Sequence, residues 1–182
     1  MSFGFRDTTI KGVKIIQPQV YGDARGFFME SYKKSEFNSG GISEEFVQDN
    51  HSFSSKGVLR GIHFQSVPYA QGKLVRAITG AVWDVAVDLR QGSLSFGEWF
   101  GLELNEENGT MLYIPPGFGH GFLTLKDNTH FLYKCTAEYN PENDGGVRWD
   151  DGNIAIEWPL EPRQKPLISD KDEKLPFLKD LI

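Results

Sequence analysis

The segment GKLVRAITGAVWDVAVDLR, residues 72–90, alternates between two kinds of side chain. One face of its second half carries only apolar and aromatic residues, namely Ala81, Trp83, Val85, Val87 and Leu89. The other face carries Asp84 and Asp88, with Val82 and Ala86 between them. A period of two predicts a β-strand rather than a helix. Gly80 interrupts the pattern and predicts a tight turn between two strands.

Most of the remaining chain also has strand character. Residues 130–139, HFLYKCTAEY, alternate in the same way, and the 14 Phe, 6 Tyr and 4 Trp favour strands over helices. Only two segments have helical character: KKSEFNSGG, ended by Gly40 and Gly41, and the tail that follows Ser169. In that tail Ser-x-x-Asp is a helix-start pattern, and Pro176 limits the helix.

The pattern of strands and turns predicts the fold class. The chain has 20 Gly and 9 Pro, which are scattered and predict many turns between short strands. We therefore predict an all-β fold with a few short helices, a sandwich or a barrel, for which a jelly roll is a natural candidate at 182 residues. No internal repeat or linker is present in the sequence, so residues 1–182 are predicted to form one domain.

Composition excludes several classes of function. The net charge of −6 argues against a nucleic-acid binder with a broad basic face. No apolar run approaches the length of a membrane span, and the start MSFGFRD lacks the apolar core of a signal peptide. The single cysteine, Cys135, cannot form an intrachain disulfide, which suits a reducing compartment. We expect a cytoplasmic protein that binds neither nucleic acid nor membranes.

The four histidines are the first candidates for chemistry: His51, His63, His120 and His130. His63 lies in LRGIHFQ between Ile62 and Phe64, where the ring is either a buried, hydrogen-bonded histidine or a functional group. His120 lies in IPPGFGHGF, where prolines fix the backbone and glycines permit close approach. That segment is either a tight loop with an incidental histidine or a functional loop.

A metal site is the obvious alternative for a small β-barrel. Barrels of the cupin type often bind a metal through H-x-H, a carboxylate a few residues later and a further histidine. Here H-x-H reads His63-Phe64-Gln65, and the following SVPYAQ contains no carboxylate. Two imidazoles without further ligands make a poor site, so we expect no metal.

Without a metal, the residues leave a base, an acid and several cations as candidates. His63 has a pKa suited to a general base, and Tyr133 is a candidate acid, with plain strand packing as its alternative. Arg25, Lys73 and Lys171 are either solvated surface charges or parts of a pocket. The same choice holds for Arg60, which Gly61 could bring to the side of His63 through a bulge.

Seven stretches in series resemble the dTDP-4-dehydrorhamnose 3,5-epimerase family: YGDARGFFMESY, FVQDNHSFS, GVLRGIHFQ, QGKLVRAITGAVWDVAVDLR, IPPGFGHGFL, LYKCTAEYNPENDGGVRWDD and LISDKD. They occur in the family's order, from about residue 20 to residue 172. The resemblance implies a metal-free cupin, a jelly-roll β-barrel that needs no cofactor and usually forms a homodimer. It also implies a place in dTDP-L-rhamnose biosynthesis, with dTDP-4-dehydro-6-deoxy-glucose as substrate and dTDP-4-dehydro-rhamnose as product.

The resemblance assigns three catalytic roles. The histidine of L-R-G-x-H-F-Q is the family's general base and matches His63, and the tyrosine of Y-K-x-T is its proton donor and matches Tyr133. The aspartate of S-x-K-D orients the histidine and matches Asp172.

It also assigns contacts with the nucleotide sugar, which match Arg25, Phe28, Glu30, Gln48, Asp49, Asn50, Arg60, Lys73, His120, Tyr139, Asp144 and Lys171. Tyr139 matches the aromatic residue that stacks on thymine. Asp144 stands where relatives often carry glutamate, and Glu138 stands where a second tyrosine is expected. In the family the N-terminal strand crosses to the partner subunit, so Arg25 and Glu30 are expected to serve the neighbour's site.

Three other interpretations remain open at this stage. A relative that epimerises only C3 or only C5 of a related dTDP-4-keto-6-deoxy sugar would use the same base and acid. A cupin that binds a sugar nucleotide without catalysis is disfavoured by the intact His63, Tyr133 and Asp172. A metal-dependent cupin oxygenase or isomerase is disfavoured by Gln65.

Overall fold

The structure is a computed structural model that describes residues 2–161 and 163–181. In this part of the chain the strands are β1 Phe3–Asp7, β2 Lys14–Pro18, β3 Val20–Asp23, β4 Gly26–Met29, β5 Gln48–Ser54, β6 Leu59–Gln65, β7 Lys73–Thr79, β8 Ala81–Asp88, β9 Trp99–Asn105, β10 Met111–Ile114, β11 Phe118–Thr124, β12 Thr129–Cys135 and β13 Asp144–Gly146. The helices are α1 Lys34–Ser39, α2 Asp170–Glu173 and a 3₁₀ helix, Leu178–Asp180.

Two antiparallel sheets form the barrel. The first sheet has the order β1-β2-β10-β7-β12-β5, and the second has the order β13-β6-β11-β8-β9. Strands β3 and β4 pair only with each other and form a separate hairpin. The chain is 43% strand and 7% helix and its sheets are antiparallel, so the predicted all-β, jelly-roll fold is confirmed.

The alternating segment forms two strands as predicted. Strand β7 ends at Thr79 and β8 begins at Ala81, and Gly80 between them has φ +75°. A Cβ at Gly80 would lie 2.2 Å from Thr129 Oγ1, so this turn requires glycine for both its conformation and its space. The turn carries the chain from the first sheet to the second.

The main core lies between the two sheets. Its buried members include Val75, Leu112 and Phe131 from the first sheet and Val82, Ala86, Phe118 and Phe122 from the second. The opposite face of β8, with Val85 and Val87, is also buried, because Ile154 and Leu178 of the C-terminal segment cover it. Both faces of β8 therefore exclude water, although its two aspartates suggested a polar face.

Both predicted helices are present and short. Helix α1 ends at Ser39, just before Gly40, and α2 begins after Ser169, whose hydroxyl accepts a hydrogen bond from the Asp172 N–H at 3.1 Å. The strand predicted over residues 130–139 ends earlier, at Cys135, where Thr136 contacts Gly72 through backbone and side-chain hydrogen bonds. Among the described residues, no helix is both long and apolar enough to cross a membrane.

Candidate active site

Strand β6 carries His63 into the interior between the sheets. His63 pairs in register with His120 on β11, and the register shifts between His120 and Phe122, beside Gly61. Gly61 has φ +108°, and a Cβ there would lie 2.6 Å from the Gly121 Cα. The irregularity brings Arg60 and His63 to one cavity, as the predicted bulge requires.

A carboxylate from the C-terminal region orients the His63 ring. Asp172 Oδ1 lies 3.0 Å from His63 Nε2, and its Oδ2 accepts a hydrogen bond from the Gly61 N–H at 3.1 Å. Burial raises the pKa of Asp172, but the hydrogen bonds from His63 and Gly61 outweigh it and lower that pKa overall. Because an ionised carboxylate only accepts, Nε2 carries the proton and Nδ1 has a free lone pair.

His63 shares its cavity with a tyrosine from the opposite sheet. His63 Nδ1 is buried and has no hydrogen-bond partner within residues 2–161 and 163–181. Tyr133 stands on β12 of the first sheet, and both rings line a cavity of about 300 Å³. Burial raises the pKa of Tyr133, so its hydroxyl is protonated at neutral pH and can donate.

Two cations line the same cavity. Lys73 opens β7 and is buried, which lowers the pKa of its ammonium group, while Cys135, Asp144 and Asp84 raise it in part. The Arg60 guanidinium donates to Ser54 Oγ and the Phe53 carbonyl, and to no carboxylate in the described residues. Both basic side chains therefore lie where they can contact a ligand in this cavity.

His120, which lines the cavity, pairs with a buried aspartate that the sequence analysis missed. His120 Nε2 lies 2.7 Å from Asp84 Oδ2, and both residues are buried. The alternation placed Asp84 on a strand face that also carries Val82 and Ala86. A charged side chain next to these apolar neighbours was the signal that could have marked Asp84 as a site residue. Phe122 and Ser169 also line this cavity and were not predicted as site residues.

A second compartment of about 200 Å³ shares His63, Lys73, Tyr133 and Lys171 with the first. Its own lining includes Gln48, Asn50, Tyr139 and Asp144, which the resemblance assigned to nucleotide-sugar binding. The Tyr139 hydroxyl donates to Asp144 Oδ2 at 3.0 Å, and Lys171 forms an ion pair with the same oxygen. Gln48 Oε1 accepts a hydrogen bond from the Tyr139 N–H at 2.8 Å and so fixes the backbone at Tyr139.

Four of the predicted site residues lie outside both compartments. Asp49 points to the other face of the first sheet, because strand alternation separates it from its neighbours Gln48 and Asn50, and it binds Lys134. The other three are Arg25, Phe28 and Glu30.

These three residues belong to the β3–β4 hairpin and the segment that follows it. The Arg25 side chain is 89% exposed and pairs with Asp23 at the hairpin tip. Phe28 is 66% exposed, and Glu30 lies 3.7 Å from the ammonium group of Lys33. None of them contributes to the site of its own chain.

The potential metal ligands are few at this site. The described residues contain no group of three or more His, Cys, Asp and Glu side chains that could hold a metal ion. Gln65, at the second position of H-x-H, instead donates to the carbonyls of Tyr69 and Glu138 and accepts from the Asn140 N–H. Its amide therefore stabilises the loops that border the second compartment.

Comparison with known proteins gives one consistent family. A family model described as dTDP-4-dehydrorhamnose 3,5-epimerase matches residues 7–180. The dTDP-4-dehydrorhamnose 3,5-epimerase of Escherichia coli K12 is 53% identical over 176 residues, which cover 96% of this chain and 94% of the relative.

Solved structures agree. A dTDP-6-deoxy-D-glucose-3,5-epimerase from Legionella pneumophila, in complex with dTDP-4-keto-L-rhamnose, has a TM-score of 0.93 and 46% identity, covering 97% of this chain and 93% of its own. ChmJ, a 3'-monoepimerase from Streptomyces bikiniensis in complex with dTDP-quinovose, has a TM-score of 0.88 and 33% identity, covering 94% and 86%.

Proposed function

This chain belongs to the dTDP-4-dehydrorhamnose 3,5-epimerase family, and we propose that it converts dTDP-4-dehydro-6-deoxy-α-D-glucose into dTDP-4-dehydro-β-L-rhamnose. The single observation that carries the proposal is the cavity where His63, oriented by Asp172, and Tyr133 meet from opposite sheets. Epimerisation needs a base on one face of the sugar and an acid on the other, and these two residues supply them.

His63 removes the proton in this mechanism. The C4 ketone acidifies the C–H bonds at C3 and C5, so His63 takes a proton from one of these carbons and the electron pair passes to O4 as an enolate. Asp172 stabilises the imidazolium that results. Tyr133 then returns a proton to the opposite face of the same carbon, and both side chains regain their resting protonation from solvent.

Cations stabilise the charges of the substrate. Lys73 is the residue suited to the enolate oxygen, because a preorganised charge in a dry site stabilises it strongly. Arg60 is suited to the diphosphate, since its guanidinium lacks a carboxylate partner in the described residues. The nucleoside lies in the second compartment, where Tyr139 stacks on thymine and Lys171 lies beside it.

The test is hydrogen exchange. The purified protein is incubated with dTDP-4-dehydro-6-deoxy-glucose in deuterated water, and NMR locates the deuterium. Label at both C3 and C5 supports the 3,5-epimerase, label at one carbon supports the single-centre alternative, and no label at either overturns the proposal. The identity to named 3,5-epimerases, 53%, exceeds the 33% to the 3'-monoepimerase, which favours label at both carbons.

Tyr133→Phe separates the two proton-transfer roles. This substitution keeps the ring and removes the hydroxyl, so His63 can still take a proton and return it to the same face. Exchange with solvent should therefore outlast net inversion. Equal losses of exchange and inversion would contradict the assignment of Tyr133 as the acid.

The reaction is expected to need no metal. Gln65 stands where metal-binding cupins carry the second histidine of H-x-H, and its amide is engaged by the neighbouring loops. Turnover should survive exhaustive chelation. Loss of turnover that one particular metal restores would overturn this expectation.

Two copies associate into a homodimer in this proposal, and the N-terminal hairpin of each completes the site of the other. The hairpin exposes large apolar side chains, with Phe27 70% and Tyr21 58% exposed, and Arg25 has no contact with the site of its own chain. Exposed apolar patches of this kind mark protein interfaces. Light scattering should give twice the 20.5 kDa of the chain. A monomer at working concentration would contradict the dimer.

A cytoplasmic location completes the proposal. Its support is the free, buried Cys135 as the chain's single cysteine, which suits a reducing compartment. Cell fractionation tests it, and recovery outside the cytoplasm would contradict it.

A further inference from the structure

Helix α2 and its N-cap bring three groups to the cavity that holds His63: Ser169, Lys171 and Asp172. The helix has only four residues, and a helix of this length is not stable by itself in water. The position of Asp172 beside His63 therefore depends on the contacts that hold α2 from outside. One residue that makes such contacts is Arg148, which has no role in the mechanism above.

Arg148 binds the C-terminal end of α2 and the segment that follows it. Its guanidinium donates through Nη1 to the carbonyl of Glu173, the last residue of the helix, at 2.7 Å. Its backbone N–H donates to the Pro176 carbonyl at 2.9 Å, and its guanidinium lies 5.1 Å from the centre of the Phe177 ring. The last carbonyls of a helix have no intrahelical partner, and an arginine side chain can satisfy one of them.

Asp150 holds the other side of the guanidinium. Its two carboxylate oxygens accept hydrogen bonds from Arg148 Nε and Nη2, both at 2.8 Å. A bidentate pair of this kind fixes the plane of the guanidinium. The remaining nitrogen, Nη1, is therefore held at the Glu173 carbonyl by a rigid fork rather than by a freely moving side chain.

The segment that leads to Arg148 is tied to the strand that carries His63. Gly146 pairs in register with His63, and Val147 and Ile62 exchange backbone hydrogen bonds at 2.9 and 3.2 Å. A Cβ at Gly146 would lie 2.3 Å from the Ile62 carbonyl oxygen, so this close approach requires glycine. Strand β6 therefore fixes the backbone from which the Arg148 side chain starts.

These contacts close a ring around the candidate base. We propose that Arg148 is a positioning residue for the epimerisation: it holds α2 so that the carboxylate of Asp172 reaches His63 Nε2. Arg148 binds Glu173, which follows Asp172 in the chain, and Asp172 returns to His63 at 3.0 Å. Arg148 lines neither compartment, so it acts through Asp172 and not on the substrate. The inference rests on the proposed function, because it explains how the proposed base keeps its orientation.

Arg90 provides a matched control. Like Arg148, it forms a bidentate pair with an aspartate two residues away, Asp88, and lies over an aromatic ring, that of Phe118, at 4.4 Å. Its side chain is 34% exposed, close to the 27% of Arg148. The carbonyl to which it donates is that of Lys11, however, and does not belong to α2. Arg90→Met should therefore cost stability and leave the candidate site unchanged.

The first experiment needs no substrate. NMR follows the ring ¹⁵N resonances of His63, assigned by their loss in His63→Ala, which show which nitrogen of the neutral ring carries the proton. In the wild type this should be Nε2, because Asp172 accepts from that nitrogen. Arg148→Met should move the ring toward a mixture of both tautomers, whereas Arg90→Met should not. Wild-type resonances in a folded Arg148→Met variant would overturn the proposal.

The second experiment is a double-mutant cycle on kcat. Arg148→Met should lower kcat by roughly three- to tenfold, because residues of one hydrogen-bond network are coupled. In the Asp172→Asn background the same substitution should cost little, since the carboxylate through which it acts has been removed. Losses that simply add would overturn the proposal, because they would show that Arg148 does not act through Asp172.

Asp150→Ala keeps the proposal testable if Arg148→Met does not fold. It removes the carboxylate that fixes the guanidinium, and its side chain is 38% exposed. It should move the His63 tautomers in the same direction to a smaller extent, and unchanged resonances would then overturn the proposal. Absence of epimerase activity in the wild type would instead overturn the proposed function, while the NMR measurement would still decide whether Arg148 orients the ring.

Discussion

The barrel interior and the β3–β4 hairpin both carry residues that the family resemblance assigns to the site. The two regions differ in how buried these residues are and in which contacts hold them. In the barrel, His63 and His120 each have a buried aspartate that fixes the ring. In the hairpin, Arg25 is 89% exposed and its partner Asp23 lies two residues away. The interior groups are held by tertiary contacts, whereas the hairpin groups are held only by local ones.

The difference shows which part of the candidate site one chain forms by itself and which part it does not form. The two sheets bring His63, Tyr133 and Lys73 to one cavity without any contribution from the hairpin. Phe27 and Phe28, in contrast, remain 70% and 66% exposed, a burial state that strands of a folded domain rarely show for aromatic side chains. We infer that the hairpin serves another molecule, and four predictions test this contrast.

The largest effect is expected inside the barrel, for His63→Ala. The substitution removes the proposed base, so turnover and deuterium exchange should fall together by about 100-fold or more. Binding of dTDP shows that the variant is folded. His130→Ala is the control, because His130 lies outside both compartments and its ring contacts His51. A near-native rate of inversion in a folded His63→Ala variant would show that another group is the base.

Asp172→Asn should have a smaller effect in the same region. The base remains, but the amide holds the ring less firmly and does not stabilise the imidazolium. We expect kcat to fall by about tenfold, a fraction of what a positioned base contributes. Steady-state kinetics measures this, with Asp170→Asn, an exposed carboxylate on the same helix, as control. A loss no greater than that of the control would remove Asp172 from the mechanism.

The third prediction tests the hairpin against the barrel. Arg25→Ala should lower kcat/KM by roughly 10- to 100-fold, the usual effect of losing a charged contact. Co-expression with His63→Ala should then restore activity. A mixed dimer has one site built from an intact barrel and its neighbour's intact hairpin, so about a quarter of the wild-type activity should return.

The matched control for this mixture uses two barrel substitutions. His63→Ala and Tyr133→Phe subunits leave every mixed site with one defect, so their combination should not regain activity. If the mixture of Arg25→Ala and His63→Ala only averages its parents, the hairpin does not serve the neighbour and the contrast between the two regions is wrong.

The sequence predicts the barrel well and the hairpin's placement poorly, for physical reasons. Alternation over β8 and the glycine at the turn to it reflect local backbone geometry, which a short window contains. Burial of both faces of β8 depends on Ile154 and Leu178, far along the chain, and no local pattern contains that information. Strand alternation does explain why Asp49 points away from the cavity.

Residues of the candidate site also differ in whether local sequence patterns could identify them. His63 and Asp172 were assigned by motifs, because only tertiary packing joins β6 to the C-terminal helix. Asp84 was missed because alternation identifies its face and does not show that His120 lies opposite. The bulge at Gly61 was predictable, since glycine in a strand marks a place of close backbone approach.

The smallest effect is expected for the fold itself, when the hairpin is altered. Phe27→Ser replaces a ring that is 70% exposed, so the free energy of unfolding of the monomer should change by less than about 0.5 kcal/mol. Phe131→Ala is the control, because that ring is 1% exposed and its loss should cost about 3–5 kcal/mol. Urea unfolding at several protein concentrations separates the stability of the monomer from that of the dimer, which Phe27→Ser should weaken. If Phe27→Ser instead destabilises the monomer as much as the core substitution does, the hairpin is part of the fold, and its exposure does not indicate a partner.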